Sequence, residues 1–136
     1  MTNMSKWLEA LRSGEYIQGR DRLRLGDRFC CLGVACDLYA KETGKGGWLS
    51  PESNDSQVFM VRGRDMKYTE GLPLVVSEWL VEGIKPNGGS VPWKTVEYDV
   101  GVELNDKGAT FVEIANRVAA WVENQDEWVC DFVGDW

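Results

Sequence analysis

Four arginines stand within nine residues of the chain, in "RDRLRLGDR": Arg20, Arg22, Arg24 and Arg28. A guanidinium is a planar, permanently charged fork of N–H donors that fits the paired oxygens of a phosphate or carboxylate. Arg20, Arg22 and Arg24 share parity, so on an extended strand their side chains line one face. That arrangement suits an anion. The competing reading is a solvated strand face whose charges are balanced by Asp21 and Asp27 or by acidic residues late in the chain. Downstream, Trp48 sits in a glycine-rich stretch, where an indole ring can stack on a planar ligand or pack a loop onto the body. Arg20, Arg22, Arg24, Arg28 and Trp48 form the candidate ligand-binding set.

The next run, "RFCCLGVACDLY" (residues 28–39), places Cys30, Cys31 and Cys36 among apolar residues. A structural zinc needs four ligands, usually thiolates in C-x-x-C pairs or cysteines with histidines. The chain has no histidine, and Cys36 and Cys130 share no paired spacing. No metal is expected. A cysteine nucleophile needs a base, a cation or a helix N-terminus to lower its thiol pKa. Cys30 or Cys31 precedes a predicted helix close to Arg28 and is the only nucleophile worth testing. The stronger reading is burial, because unpaired cysteine behaves as a small hydrophobe.

The chain lacks G-x-S-x-G, G-x-x-x-x-G-K-[ST] and G-x-G-x-x-G, and "TGKGGW" follows no strand. Carboxylates at Asp126-Glu127 or in the Asn105-Asp106 turn could serve acid–base work, but such groups are common at turns and tails. Nothing makes a specific case for catalysis, and no cofactor is implied.

The elements that must position these residues can be read from spacing. Met4, Trp7, Leu8 and Leu11 recur at helical intervals and Gly14 supplies a stop. Leu23 and Leu25 alternate before Gly26-Asp27, a pair suited to a two-residue hairpin turn, and Phe29 and Cys31 continue the alternation. A helix follows from Leu32 to Thr43, ended by Gly44. "GKGGWLSPESNDS" reads as an exposed loop. "QVFMVRGRDMKYTE" predicts one or two strands with a turn or bulge at Gly63. Pro73 opens a short helix through Leu80, stopped by Gly83. After a second loop, "IKPNGGSVPW", Val96 to Leu104 alternate as a strand. Phe111, Ile114, Ala115, Val118, Ala119 and Val122 trace a final helix, with Thr110 and Glu113 as its capping box.

Short strands and helices without long parallel crossovers predict an α+β domain: a small antiparallel sheet with a β-hairpin, packed by three to four helices. The expected division is a single domain over 1–122 and an acidic aromatic extension over 123–136. Of the seven tryptophans, Trp7, Trp79 and Trp121 fall on helical stripes, while Trp48, Trp93, Trp128 and Trp136 do not. The helical stripes could also pack between copies of the chain, so a homo-oligomer is open.

The 136 residues carry a net charge of −7. Through Cys36 six positive residues outnumber four negative ones, giving +2 and leaving −9 for the rest. Nonspecific binding to a phosphate backbone needs an excess of lysine and arginine, so direct nucleic-acid binding is not expected. No apolar run approaches the roughly 20 residues of a membrane span, and the start lacks the pattern of a secretory leader. A membrane partner is not expected either, and the reading is cytoplasmic with free thiols.

Three stretches taken together, "KWLEALRSGEYIQGRDRLRLGDRFCCLGVACDLY", "LPLVVSEWLV" and "LNDKGATFVEIANRVAAWVE", resemble a family of small proteins encoded by tailed bacteriophages and related prophages. The distinctive parts are the tryptophan-bearing first helix running into S-G-x-Y, the "FCCLGVACDL" block, and "LND-K-G-x-x-F-x-x-IA" from Leu104 to Ala115. The middle segment "PLVVSEWLVEGIKPNGGSVPW" and the acidic tail depart from it. No site residue is carried over. The resemblance implies a phage accessory protein made in the host bacterial cytoplasm, of a size common among counter-defence factors. Two modes of action fit. One is sequestration, without chemistry, of a small anionic, nucleotide-like ligand by the arginines and an aromatic ring. The alternative is inhibition of a host defence or nucleic-acid-binding protein through the acidic aromatic residues Asp126, Glu127, Trp128, Asp131, Phe132 and Trp136.

Overall fold

The computed structural model describes residues 2–50, 57–64, 67–69, 71–82 and 104–123, without the side chains of 121–123. The first helix, α1 (Asn3–Ser13), buries Met4, Trp7, Leu8 and Leu11 on one stripe. Thr2 Oγ1 caps it by accepting from Ser5 N at 3.1 Å, and Gly14 ends it in the left-handed region at φ 79°.

Three two-residue strands follow: β1 (Ile17–Gln18), β2 (Arg24–Leu25) and β3 (Arg28–Phe29), in the order β1-β3-β2. The hairpin between β2 and β3 turns at Gly26-Asp27, with Gly26 at φ 62°. β1 runs parallel to β3, a pairing the sequence pattern did not predict. Nor does Cys31 continue the strand. Pairing stops at Phe29, Cys30 becomes the N-cap of α2 (Cys31–Thr43), and its sulfur accepts from Gly33 N at 3.4 Å.

A second sheet, β4 (Gly46–Leu49), β5 (Val58–Val61) and β6 (Lys67–Tyr68), is antiparallel throughout. β4 corrects the expected loop, and Trp48 sits on a strand. The glycines that suggested a loop answer a packing need: a Cβ on Gly46 would lie 2.6 Å from Phe59 Cζ. Residues 51–56 lie outside the described residues, as do 94–103, where most of the expected strand falls. α3 (Leu74–Leu80) starts after Pro73, and α4 (Phe111–Glu123) carries the expected capping box. Glu113 N donates to Thr110 Oγ1 at 3.1 Å, and Thr110 N donates to Glu113 Oε1 at 3.0 Å. The chain is a small single α+β domain with two three-stranded sheets among the described residues, where one sheet was expected.

The core lies where α1, α2, α3 and α4 meet, around Trp7, Leu11, Val34, Val76, Ile114 and Val118. Trp7 is fully buried, so its indole N–H needs a partner, and it donates to Cys31 O at 2.9 Å. Asn105 joins more distant parts. Its side chain is fully buried, and all four of its hydrogen-bonding positions are used. Oδ1 accepts from Cys31 N (3.1 Å) and Gln18 Nε2 (3.0 Å), while Nδ2 donates to Gly19 O (2.9 Å) and Asp106 Oδ1 (3.3 Å). Gln18 passes the connection on, donating to Ala109 O at 2.7 Å and accepting from Phe111 N at 3.1 Å. One amide therefore ties β1, the start of α2 and the start of α4.

Two substitutions test this frame by urea unfolding. Asn105→Ala orphans buried donors and acceptors, each costing about 1–3 kcal/mol, and a total loss of at least about 3 kcal/mol is expected. Gly33→Ala would raise helix propensity by about 1 kcal/mol in an exposed helix. Here the added Cβ would lie 1.8 Å from Leu23 O. The expected outcome is a loss of about 4 kcal/mol or failure to fold.

Candidate functional site

The hairpin is locked to both sheets, and this decides where its arginines go. Cys30 N donates to Leu23 O (3.2 Å), Leu23 N to Thr69 O (2.7 Å), and Gln57 N to Arg24 O (2.9 Å). Gln57 Nε2 also donates to Gly26 O at 3.0 Å. Residues paired directly across an antiparallel ladder share a face. Arg24 is paired with Phe29, and Leu25 with Arg28, so Arg24 and Arg28 lie on opposite faces. Arg28 shares its face with Ile17 of the parallel strand, beside the exposed Ile17 and Leu25.

The expected row of same-parity arginines does not form. Residues 21–23 are a bend, and Asp21 takes φ 68°, the left-handed region that breaks strand alternation between Arg20 and Arg22. Both of those arginines are exposed. What the structure brings together from the candidate set is Arg24 and Trp48. Arg24 Cζ lies 4.8 Å from the centre of the Phe29 ring and 5.6 Å from that of Trp48. Its Nε donates to Gly26 O at 2.8 Å. Among the described residues no carboxylate pairs with it.

The rings beneath Arg24 are themselves fixed. Phe29 meets Tyr16 edge to face at 5.0 Å and Trp48 at 5.9 Å, and Trp48 meets Phe59 at 4.9 Å. Below them sits Asp37 of α2, a buried carboxylate in an otherwise apolar stretch of helix. Burial opposes its charge, but three donors outweigh burial and hold its pKa below the ordinary 3.8. They are Tyr16 Oη at 2.6 Å, Lys41 Nζ at 2.9 Å and Trp48 Nε1 at 3.1 Å. The bond from Trp48 fixes the orientation of the indole against the sheet. Burial and the neighbouring carboxylate push the Tyr16 phenol up to about 12.

Sequence reasoning missed Tyr16, Phe29, Asp37 and Lys41 as members of this cluster. One signal was present. Asp37 is the lone acid in "CLGVACDLY", and an acid at an inward helical position must find donors.

The cysteines do something different. Cys30, Cys31 and Cys36 are buried thiols outside any disulfide. Burial pushes the Cys30 thiol up to about 11 and the Cys31 thiol well above its ordinary 9.0. A nucleophile needs the opposite shift. Their place is in the core, with Cys30 also capping a helix. Among the described residues no group of three or more His, Cys, Asp and Glu could hold a metal ion. No described helix is long and apolar enough to cross a membrane. Trp93 and the alternative partner-binding residues Asp126, Glu127, Trp128, Asp131, Phe132 and Trp136 lie outside the described residues.

Fold and site together define a small α+β domain whose hairpin presents one arginine over an aromatic cluster. The chain belongs to the family DUF8296, a domain of unknown function, which matches residues 3–123. No curated protein and no solved structure matches it.

The shifted groups set a pH dependence. Cys30 and Tyr16 bind their protons more tightly folded than unfolded, so between the unfolded and folded values the native state holds more protons and stability falls as pH rises. For Cys30 that window runs from 9.0 to about 11, and for Tyr16 from 10.0 to about 12. Urea unfolding should give a constant stability between about pH 7 and 8 and a decline above about pH 9. Two units at a buried thiol correspond to about 3 kcal/mol. Cys30→Ser should make the decline shallower. Asp37 acts in reverse: its contribution is full above its unfolded value near 3.8 and is lost as pH falls through the lower folded value.

Proposed function

We propose that this chain is a non-enzymatic binding protein, a phage accessory factor acting in the host bacterial cytoplasm, that sequesters a small anionic, nucleotide-like ligand at the corner formed by Arg24, Phe29 and Trp48. The carrying observation is the state of Arg24. Its face lies over two rings and its Nε is spent on Gly26 O, which leaves the two terminal nitrogens as a preset fork for an anion. An arginine held this way loses little rotamer freedom on binding. The half-buried Trp48, fixed by Asp37, offers an adjacent ring against which a planar base can pack. A fork and a ring are sufficient for capture, and counter-defence by depletion of a nucleotide signal requires no chemistry. The phage resemblance supports that role. Arg28, on the other face of the hairpin, takes no part in this corner.

Native mass spectrometry of protein purified from bacterial lysate, before and after denaturation, tests this reading. The expected result is a released, phosphate-bearing small molecule, and its loss in an Arg24→Ala variant whose circular dichroism matches the parent. Removing a charge-assisted contact costs about 1.5–3 kcal/mol, a weakening of about 10- to 100-fold. An empty parent protein, or a ligand retained by folded Arg24→Ala, contradicts it.

A further inference from the structure

Resting on the reading of this corner as a nucleotide site, we infer that its ligand is a planar base bearing a singly charged phosphodiester, and that the site discriminates against polyphosphates. The register of the first sheet supplies one guanidinium to the corner. Arg24 shares a face with Phe29, Arg28 is on the other face with Leu25 and Ile17, the left-handed Asp21 sets Arg20 apart from the strand, and Arg22 is itself partnered. With Nε committed to Gly26 O, the remaining donors of Arg24 match two oxygens of one group.

The second cation of the cluster is already neutralised. Lys41 Nζ lies 2.9 Å from Asp37 Oδ2 and 5.5 Å from the centre of the Tyr16 ring. Asp37 in turn is held by Tyr16 and Trp48. Counting Arg24 and Lys41 as positive and Asp37 as negative, the corner carries a net charge of +1. The two non-bridging oxygens of a phosphodiester carry one negative charge and complement it. Among the described residues Arg24 is the arginine that lies over these rings, so each further charge on a monophosphate or triphosphate gains no second fork from Arg28 and meets the field of a chain whose net charge is −7.

The test is calorimetric titration of the whole chain, at neutral pH and fixed ionic strength without divalent metal. The probes are the cyclic monophosphate, monophosphate and triphosphate of each common ribonucleoside, so that within a series the base is constant and the phosphate group with its charge varies. For the preferred base, the cyclic form should bind at least about tenfold tighter than the triphosphate, with the monophosphate between them. Arg24→Ala should abolish the binding, and Arg28→Ala should leave it unchanged. A triphosphate that binds as tightly as the cyclic form, or a loss of binding in Arg28→Ala, would show several arginines acting together. Either result overturns this inference and leaves the nucleotide reading standing. Binding by none of the probes overturns both.

Discussion

The buried side-chain amide of Asn105 is the interaction on which the rest of the molecule depends. It is placed between three chain segments: the strand after α1, the first residue of α2 and the turn before α4. An amide in a fully buried position is costly unless both its oxygen and its nitrogen are satisfied, and here every position is filled. Because Gly19 N donates to Phe29 O at 2.7 Å, the amide that holds Gly19 O also steadies β3. Phe29 is one of the rings under Arg24. The path from a remote turn to the candidate site is short and made of hydrogen bonds.

Two stretches of the sequence acquire a common meaning from this contact. "FCCLGVACDL" supplies the Cys31 N–H and the close approach at Gly33, and "LNDKG" supplies Asn105 and a turn closed by Ala109 N donating to Leu104 O at 2.9 Å. Phe111, Ile114 and Ala115 then enter the core. These blocks build the frame. The site is a second polar centre, Asp37, whose charge is tolerated because Tyr16, Lys41 and Trp48 all donate to it. One helix thus begins at the first centre and carries the second on its inner face.

Much of this was legible where signals are local. The stripe and glycine stop of α1, the Gly26-Asp27 turn and the Thr110–Glu113 box each involve residues a few positions apart, and each forms as its spacing predicts. Non-local causes were hidden. β4 was read as a loop because Gly46 and Gly47 carry no strand propensity, and the reason for Gly46 is a ring on another strand. The arginine row failed at one residue, Asp21, whose backbone sign no parity argument can supply. The role of Asn105 depends on a partner 74 residues away, and the pairing of Arg24 with Trp48 on a strand that sequence alone did not reveal.

The most direct test of the central claim is amide hydrogen exchange followed residue by residue by NMR. If the Asn105–Gln18 network holds the fold together, the N–H groups of Cys31 and Phe111, bonded to Asn105 Oδ1 and Gln18 Oε1, open only with the whole molecule. Their protection should then equal that of the slowest amides in α1 and α2. Rapid exchange at Cys31 and Phe111 while those helices stay protected would contradict the account, because the network would then be an ornament on a core that stands without it.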